Sequence, residues 1–149
     1  MTLDEAAIRT LLEVHANAIR LKDAEQALAP YAPGSAIYDL APPLAYRSDT
    51  RADRAGIEAW FATWDGPIGY ELKDIEVTSS GPLAVAHGFL RISGTKKADG
   101  AKEGETVAVW TRRTVVFGRL GGGWRITHDH ISTPFYMDGS DRAATDLKP

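Results

Sequence analysis

The chain changes hydrophobic period near its middle. Before residue 70 the apolar positions recur every three or four residues, and after it they tend to alternate. Leu3, Ala7, Ile8, Leu11, Leu12 and Ile19, with His15 on the same stripe, predict an amphipathic helix over residues 3–20. Thr2, followed three residues later by Glu5, supplies a capping-box start for it. A short second helix is predicted in "DAEQALAPY", capped by Asp23 and stopped by Pro30 and Pro33. "SAIYDL" (35–40) reads as a brief strand ended by Pro42 and Pro43. A third helix is expected from about Asp53 to Trp64, closed by Gly66 and Pro67. Four long strand patterns follow, in "YELKDIEVTSS", "LAVAHGFLRISGTKK", "ETVAVWTRRTVVFGRL" and "GWRITHDHISTPFY". The segments "SGP", "ADGAKEG" and "LGGG" between them are hairpin turn chemistry.

Three helices followed by a meander of long strands is an α+β pattern, with the helices on one face of a curved, mainly antiparallel sheet. At 149 residues the chain suits one domain over 1–149, large enough to bury a core or an internal pocket. Residues 1–2 and about 138–149 are expected to be flexible. The absence of cysteine excludes disulfides, thiolate metal sites and a Cys nucleophile. A formal charge of −3 with scattered basic residues argues against nucleic acid as a partner. No basic-then-apolar leader and no apolar run of membrane-spanning length are visible, so a cytoplasmic protein without a membrane partner is expected.

The candidate chemistry sits at the ends of the strands. Asp39 closes the short strand beside Ile37 and Leu40, where a carboxylate on an apolar wall is suited to act as a general base. The alternative is that it caps the turn before Pro42. In "WRITHDHISTPFY" (124–136), strict alternation puts Trp124, Ile126, His128, His130 and Ser132 on one face. If that face looks inward, His128 and His130 are polar groups of the pocket and handle protons, which imidazole does near neutral pH. A metal is not expected, because His15, His87 and Asp39 are the available further ligands and each lies on a separate element. Trp60, Phe61 and Trp64 on the predicted third helix would form core and pocket wall. His87 and Arg91 share a strand face, and "GGG" (121–123) is a hairpin turn, lacking the helix and Lys-Ser/Thr of a phosphate loop. One alternate set, Ala108, Trp110 and Val116 or Val107, Val109 and Val115, must lie on the outer sheet face, where an apolar surface predicts a homodimer or higher closed oligomer.

The order helix–helix–strand–helix–four strands, with "AIYDL" before the third helix and "GGGWRITHDHIS" in the last hairpin, resembles the nuclear transport factor 2-like superfamily. That group includes ketosteroid isomerase, SnoaL-type polyketide cyclases and scytalone dehydratase. "FLRIS" (89–93) and the W-x-I-x-H-x-H-x-S pattern of 124–132 resemble in particular the association domain of calcium/calmodulin-dependent protein kinase II and its bacterial relatives. The resemblance implies a cone-shaped α+β barrel, its sheet strongly curved around the helices and enclosing an internal pocket. It implies that Asp39 matches the strand-end general base of ketosteroid isomerase and that Tyr31 matches a pocket tyrosine. His15 stands where the isomerase has a first-helix tyrosine, and Arg112 or Arg113 stands near its late-strand acid. Those departures argue against steroid isomerisation. They leave a metal- and cofactor-free isomerase, lyase or cyclase reaction beside a carbonyl, in which Asp39, His128 and His130 are catalytic. His15, Tyr31, Trp60, Phe61, Trp64, His87 and Arg113 would bind a small hydrophobic or carbonyl/carboxylate ligand, Arg113 as anion anchor. The alternative that the resemblance implies is a ligand-binding or oligomerisation module without catalysis.

Overall fold

A computed structural model describes residues 1–99 and 104–149, so the centre of the predicted 98–104 turn lies outside the described residues. Helix α1 spans Leu3–Arg20, and its predicted capping box forms: Glu5 N donates to the Thr2 hydroxyl at 3.1 Å, and Thr2 N donates to the Glu5 carboxylate at 3.1 Å. Helix α2 (Ala24–Leu28) is capped by Asp23, which accepts from Gln26 N. Helix α3 (Thr50–Ala62) starts earlier than expected, because Asp49 rather than Asp53 caps it. The Asp49 carboxylate accepts from Arg51 N and Ala52 N, while Asp53 reaches back to accept from Asp49 N and the Ser48 hydroxyl.

Six strands form one sheet: β1 (Tyr31–Tyr38), β2 (Tyr46–Arg47), β3 (Trp64–Ser80), β4 (Leu83–Lys96), β5 (Thr106–Leu120) and β6 (Gly123–Ser132). Their order is β2-β1-β6-β5-β4-β3. The last four strands make the expected antiparallel meander, and β1 joins it parallel to β6. The sheet is curved and unclosed, with the helices packed against it, as expected for the cone-shaped α+β fold. Further boundaries differ from the sequence reading. β1 begins four residues earlier and ends at Tyr38, leaving Asp39 beyond it. Trp64 opens β3 instead of ending α3, because the helix stops at the Thr63 cap. Residues 133–149 fold back on themselves: Phe135 bridges Ala143, Ala144 N donates to Pro134 O, and Ala144 is buried.

The apolar face of α1 packs on the inner face of the sheet in two clusters. One gathers Ile8 and Leu12 with Ala84, Ala86, Val115, Phe117, Trp124 and Ile126, at the end of the β5–β6 turn. The other gathers Ala16 and Ile19 with α2, Phe61, Trp64, Ile68, Tyr70 and Leu90. Full burial of side chains of this size contributes roughly 1.5–3 kcal/mol each, which makes α1 the principal clamp on the sheet.

Candidate functional site

His15 lies on α1 between the residues that serve the two clusters, and polar side chains gather around it. Its ring centroid is 5.7 Å from that of Tyr31 and 5.9 Å from that of Tyr70, both edge-on. Arg113 on β5 and Asp129 on β6 complete the layer. Arg113 donates through Nε to Asp129 Oδ1 at 3.1 Å and through Nη2 to Oδ2 at 2.8 Å, a bidentate pair. The Tyr31 hydroxyl donates to the same Oδ2 at 2.6 Å. Arg113 and Asp129 are each only 3% exposed. The centre of the interior is therefore polar.

Burial and charge set the protonation states here. Burial, helped by the charge of Arg113, pushes the His15 pKa down to about 3, so its ring is neutral at pH 7. Burial would raise the Asp129 carboxyl, but the charge and hydrogen bonds of Arg113 and the Tyr31 hydroxyl outweigh it and hold the group below the usual carboxylate range. Burial, with the Asp129 charge, raises the Tyr31 phenol well above its ordinary value, and mainly burial pushes Tyr70 up to about 12. The resulting layer holds one compensated ion pair and otherwise neutral groups. Among the described residues four buried side-chain nitrogens lack a hydrogen-bond partner: Arg9 Nε, His15 Nδ1, Arg113 Nη1 and, in the cluster beside α3, Trp64 Nε1. Leaving such groups unpaired costs about 1–3 kcal/mol apiece.

The histidines of the last strand are elsewhere. Phe117 pairs with Ile126 and the adjacent Val116 pairs with His128, so Thr127 is an extra residue in β6. That bulge reverses the alternation. Trp124 and Ile126 point inward before it, and Asp129 points inward after it, opposite the buried Val115. His128 and His130 consequently share the outer face with Tyr38, their rings 4.7 and 5.4 Å from its ring and 6.4 Å from each other. The His128 ring bonds Ala36 O through Nδ1 at 2.7 Å. The expectation that the two histidines line the interior is thus overturned by one inserted residue.

Other candidates divide the same way. His87 is also outside, 3.6 Å from Glu76, beside an outer-face groove of about 380 Å3 that Phe89, Arg112 and Thr114 help to line. Arg113, not Arg112, is the interior arginine. Phe61 and Trp64 are buried in the cluster beside α3, Trp60 is partly buried against it, and the Trp60 and Trp64 rings meet edge-on at 5.7 Å although they lie on different elements. Asp39 is exposed, and its carboxylate accepts from Leu40 N at 2.7 Å, the local turn contact that had been the alternative role for it. It stands two residues beyond Ile37, which pairs with Asp129 and Tyr46. Burial first and the Asp39 charge second push the Tyr46 phenol up to about 12, and the same charge contributes least among the causes that act on Tyr70. Among the described residues no group of three or more His, Cys, Asp or Glu side chains is placed to hold a metal ion.

Asp129 and Tyr70 were not candidates in the sequence. The signal for Asp129 is a break of parity: Trp124 and Ile126 are apolar at even positions and Ile131 at an odd one, which alternation permits only across a bulge. Arg113 likewise interrupts the inward series Val109, Thr111, Val115, Phe117.

The geometry is that of a widespread small domain. The chain aligns over 100% of its length, and 99% of the other chain, with a nuclear transport factor 2-like protein of unknown function from Pseudomonas putida KT2440, at 32% identity and a TM-score of 0.85. A candidate dehydratase of the same family from Streptomyces avermitilis matches at 17% identity and a TM-score of 0.71, over 87% of this chain and 95% of that one. A candidate calcium/calmodulin-dependent protein kinase II association domain from Xanthomonas campestris matches at 17% identity and 0.66, over 84% of each chain. No protein of curated function matches. The family model described as the SnoaL-like domain matches residues 8–136, and the chain belongs to that family within the nuclear transport factor 2-like fold.

Proposed function

We propose that the protein binds a small carbonyl compound in its interior and acts on it as an isomerase or lyase, with Asp39 at the rim as general base. The observation that carries this reading is the pair of buried, unpartnered atoms His15 Nδ1 and Arg113 Nη1 beside a compensated ion pair. A ligand oxygen meeting Arg113 Nη1 and His15 would be polarised, because donors in a water-poor setting stabilise negative charge developing on oxygen. Asp129 is a poor base, since Arg113 and Tyr31 already occupy its oxygens. Asp39 is free of such pairing and carries its charge toward Tyr46 and Tyr70. In the proposed step the Asp39 carboxylate takes a proton from the carbon beside the carbonyl. The C–H electron pair moves into the new C=C bond, and the charge arrives on the oxygen held by the interior donors. The dehydratase name borne by one structural neighbour is compatible with that chemistry.

The test is hydrogen–deuterium exchange at the α-carbon of a panel of enolisable ketones, followed by NMR. Exchange that falls by about 100-fold or more in Asp39→Asn, with the melting temperature unchanged, supports the assignment. Exchange that is equal in both proteins removes Asp39 from the chemistry. The second reading, a non-catalytic ligand-binding or assembly module, is favoured by the match to a candidate association domain and by the partly buried Phe89 and Trp110 on the outer sheet face. It predicts binding without exchange, and a dimer or larger closed oligomer in light scattering.

A further inference from the structure

We propose that the cleft between α1 and the bulged part of β3 binds a small zwitterion, a free α-amino acid with an aliphatic side chain. The cleft holds about 270 Å3 and is lined by Arg9, Leu12 and Glu13 of α1 and by Leu72, Asp74 and Ile75 of β3. None of these residues belongs to the Arg113–Asp129 layer, so this site is separate from the interior one. Arg9, Leu12 and Glu13 share one side of α1, because residues three and four apart are neighbours on a helix. The usual partner of Arg9 at that spacing is Glu13, but the Glu13 carboxylate accepts from Arg20 Nη2 at 2.8 Å instead. Among the described residues Arg9 is left without an ion pair, and its Nε is buried without a hydrogen-bond partner. An arginine N–H can only donate, so it requires an acceptor.

The opposite wall is a bulge. Lys73 pairs with Phe89 and Glu76 with His87, so Asp74 and Ile75 together stand opposite Gly88. Asp74 adopts φ 53°, in the left-handed region. Gly88 lets the bulge lie close, since a Cβ there would come within 2.6 Å of Ile75 Cδ1 and 2.9 Å of Asp74 O. The bulge packs Ile75 against the Ile8–Leu12 cluster and leaves the exposed Asp74 at the cleft without an ion pair among the described residues. The neighbouring charges on β3 are directed elsewhere: Lys73 Nζ lies 5.7 Å from the Trp110 ring centroid, and Glu76 lies 3.6 Å from His87. The cleft therefore sets one unpaired cation and one unpaired anion around Leu12, Leu72 and Ile75. A simple carboxylate would gain Arg9 but be opposed by Asp74 and Glu13, and a simple amine would be opposed by Arg9. A zwitterion satisfies both, its carboxylate accepting from Arg9 Nε and its ammonium donating to Asp74, while an aliphatic chain covers the leucines and Ile75. The volume falls below the roughly 300–1,000 Å3 of pockets for drug-sized ligands, which suits an amino acid.

The experiment titrates the full chain at pH 7 with L-leucine, with 4-methylpentanoate, which lacks the ammonium, and with leucinamide, which lacks the carboxylate. The readouts are the Nε–H resonance of Arg9 and the δ1-methyl resonance of Ile75, assigned with Arg9→Gln and Ile75→Val. The expected result is a saturable shift of both by leucine, with each singly charged analogue binding about 10-fold more weakly or less. Asparagine tolerates a left-handed backbone, so Asp74→Asn removes the charge and keeps the bulge. That variant should bind leucine about 10-fold more weakly and 4-methylpentanoate no more weakly than before. In Arg9→Gln the leucine shift of the Ile75 methyl should disappear. 4-Methylpentanoate binding as tightly as leucine, or leucine binding unchanged in either variant, overturns the zwitterion assignment. Absence of any shift with leucine at tens of millimolar overturns the site itself. Neither result bears on the ketone exchange reaction, to which this cleft contributes no residue.

Discussion

On the inner face of the β5–β6 pair, Arg113 and Asp129 are buried and joined by two hydrogen bonds. On the outer face of the same two strands, Arg112, Thr114 and His130 are exposed and His128 is bound only through one ring nitrogen to a backbone carbonyl. The residues differ by one position along the chain, and their environments differ by the full thickness of the sheet. A charge on the inside must be paired or it destabilises the fold by several kcal/mol, whereas one on the outside is solvated and nearly neutral in effect. Ionisable residues in one short motif therefore serve different ends, and the bulge at Thr127 decides which end each serves.

The most severe way to break that contrast is to insert one alanine after Thr127. With the bulge kept and one residue added, β6 must either turn Asp129 outward and bring His128 against Val115, or shift its pairing with β5. We expect loss of a cooperative thermal transition and of near-UV circular dichroism from the buried aromatics; an unchanged melting curve would show that the bulge does not set the faces.

The next largest effect separates the faces by substitution. Asp129→Asn strands a buried Arg113 charge and should cost roughly 3–5 kcal/mol in urea unfolding, while His130→Asn on the outer face should stay within about 0.5 kcal/mol. Similar values for the two variants would contradict the difference in environment.

A smaller, pH-dependent effect belongs to His15. Its folded-state pKa of about 3 lies below the unfolded value near 6.5, so the unfolded chain binds the proton more readily. The stability is fully present above pH ~6.5 and falls by up to about 1.4 kcal/mol per pH unit as the pH drops toward 3. Asp129, also depressed, adds to the loss only below its unfolded pKa of about 3.9. Unfolding measured from pH 7 to pH 4.5 should show this slope in the natural chain and a much flatter one in His15→Leu, where the titrating group is gone.

Much of the architecture is legible in the residues themselves. Helix α1, its capping box, the short α2 and the four-strand meander follow from apolar period, Thr2, Glu5, Asp23 and the glycine-rich turns. These are local facts, because the 3.6 and 2.0 periods arise from backbone geometry within each element. The place of His15 on the inward stripe of α1 is local too, whereas the sequence left open which of Arg112 and Arg113 faces inward, and Tyr31 was placed only by the family resemblance.

The centre of the site was decided by tertiary structure. Strict alternation carried from Trp124 assigns His128 to the interior, and nothing within that segment alone contradicts it until Ile131 is weighed against Phe117 and Val115 across the strand pair. A bulge arises where two strands must keep their apolar residues on one side despite unequal spacing, so it is a property of the pairing rather than of either strand. The same holds for the Tyr31–Asp129–Arg113 contacts, whose members are separated by 98 and 16 residues along the chain. The sequence by itself determined the elements and their amphipathic faces. Which charges ended up facing each other depended on register, and register is settled only when the sheet closes over α1.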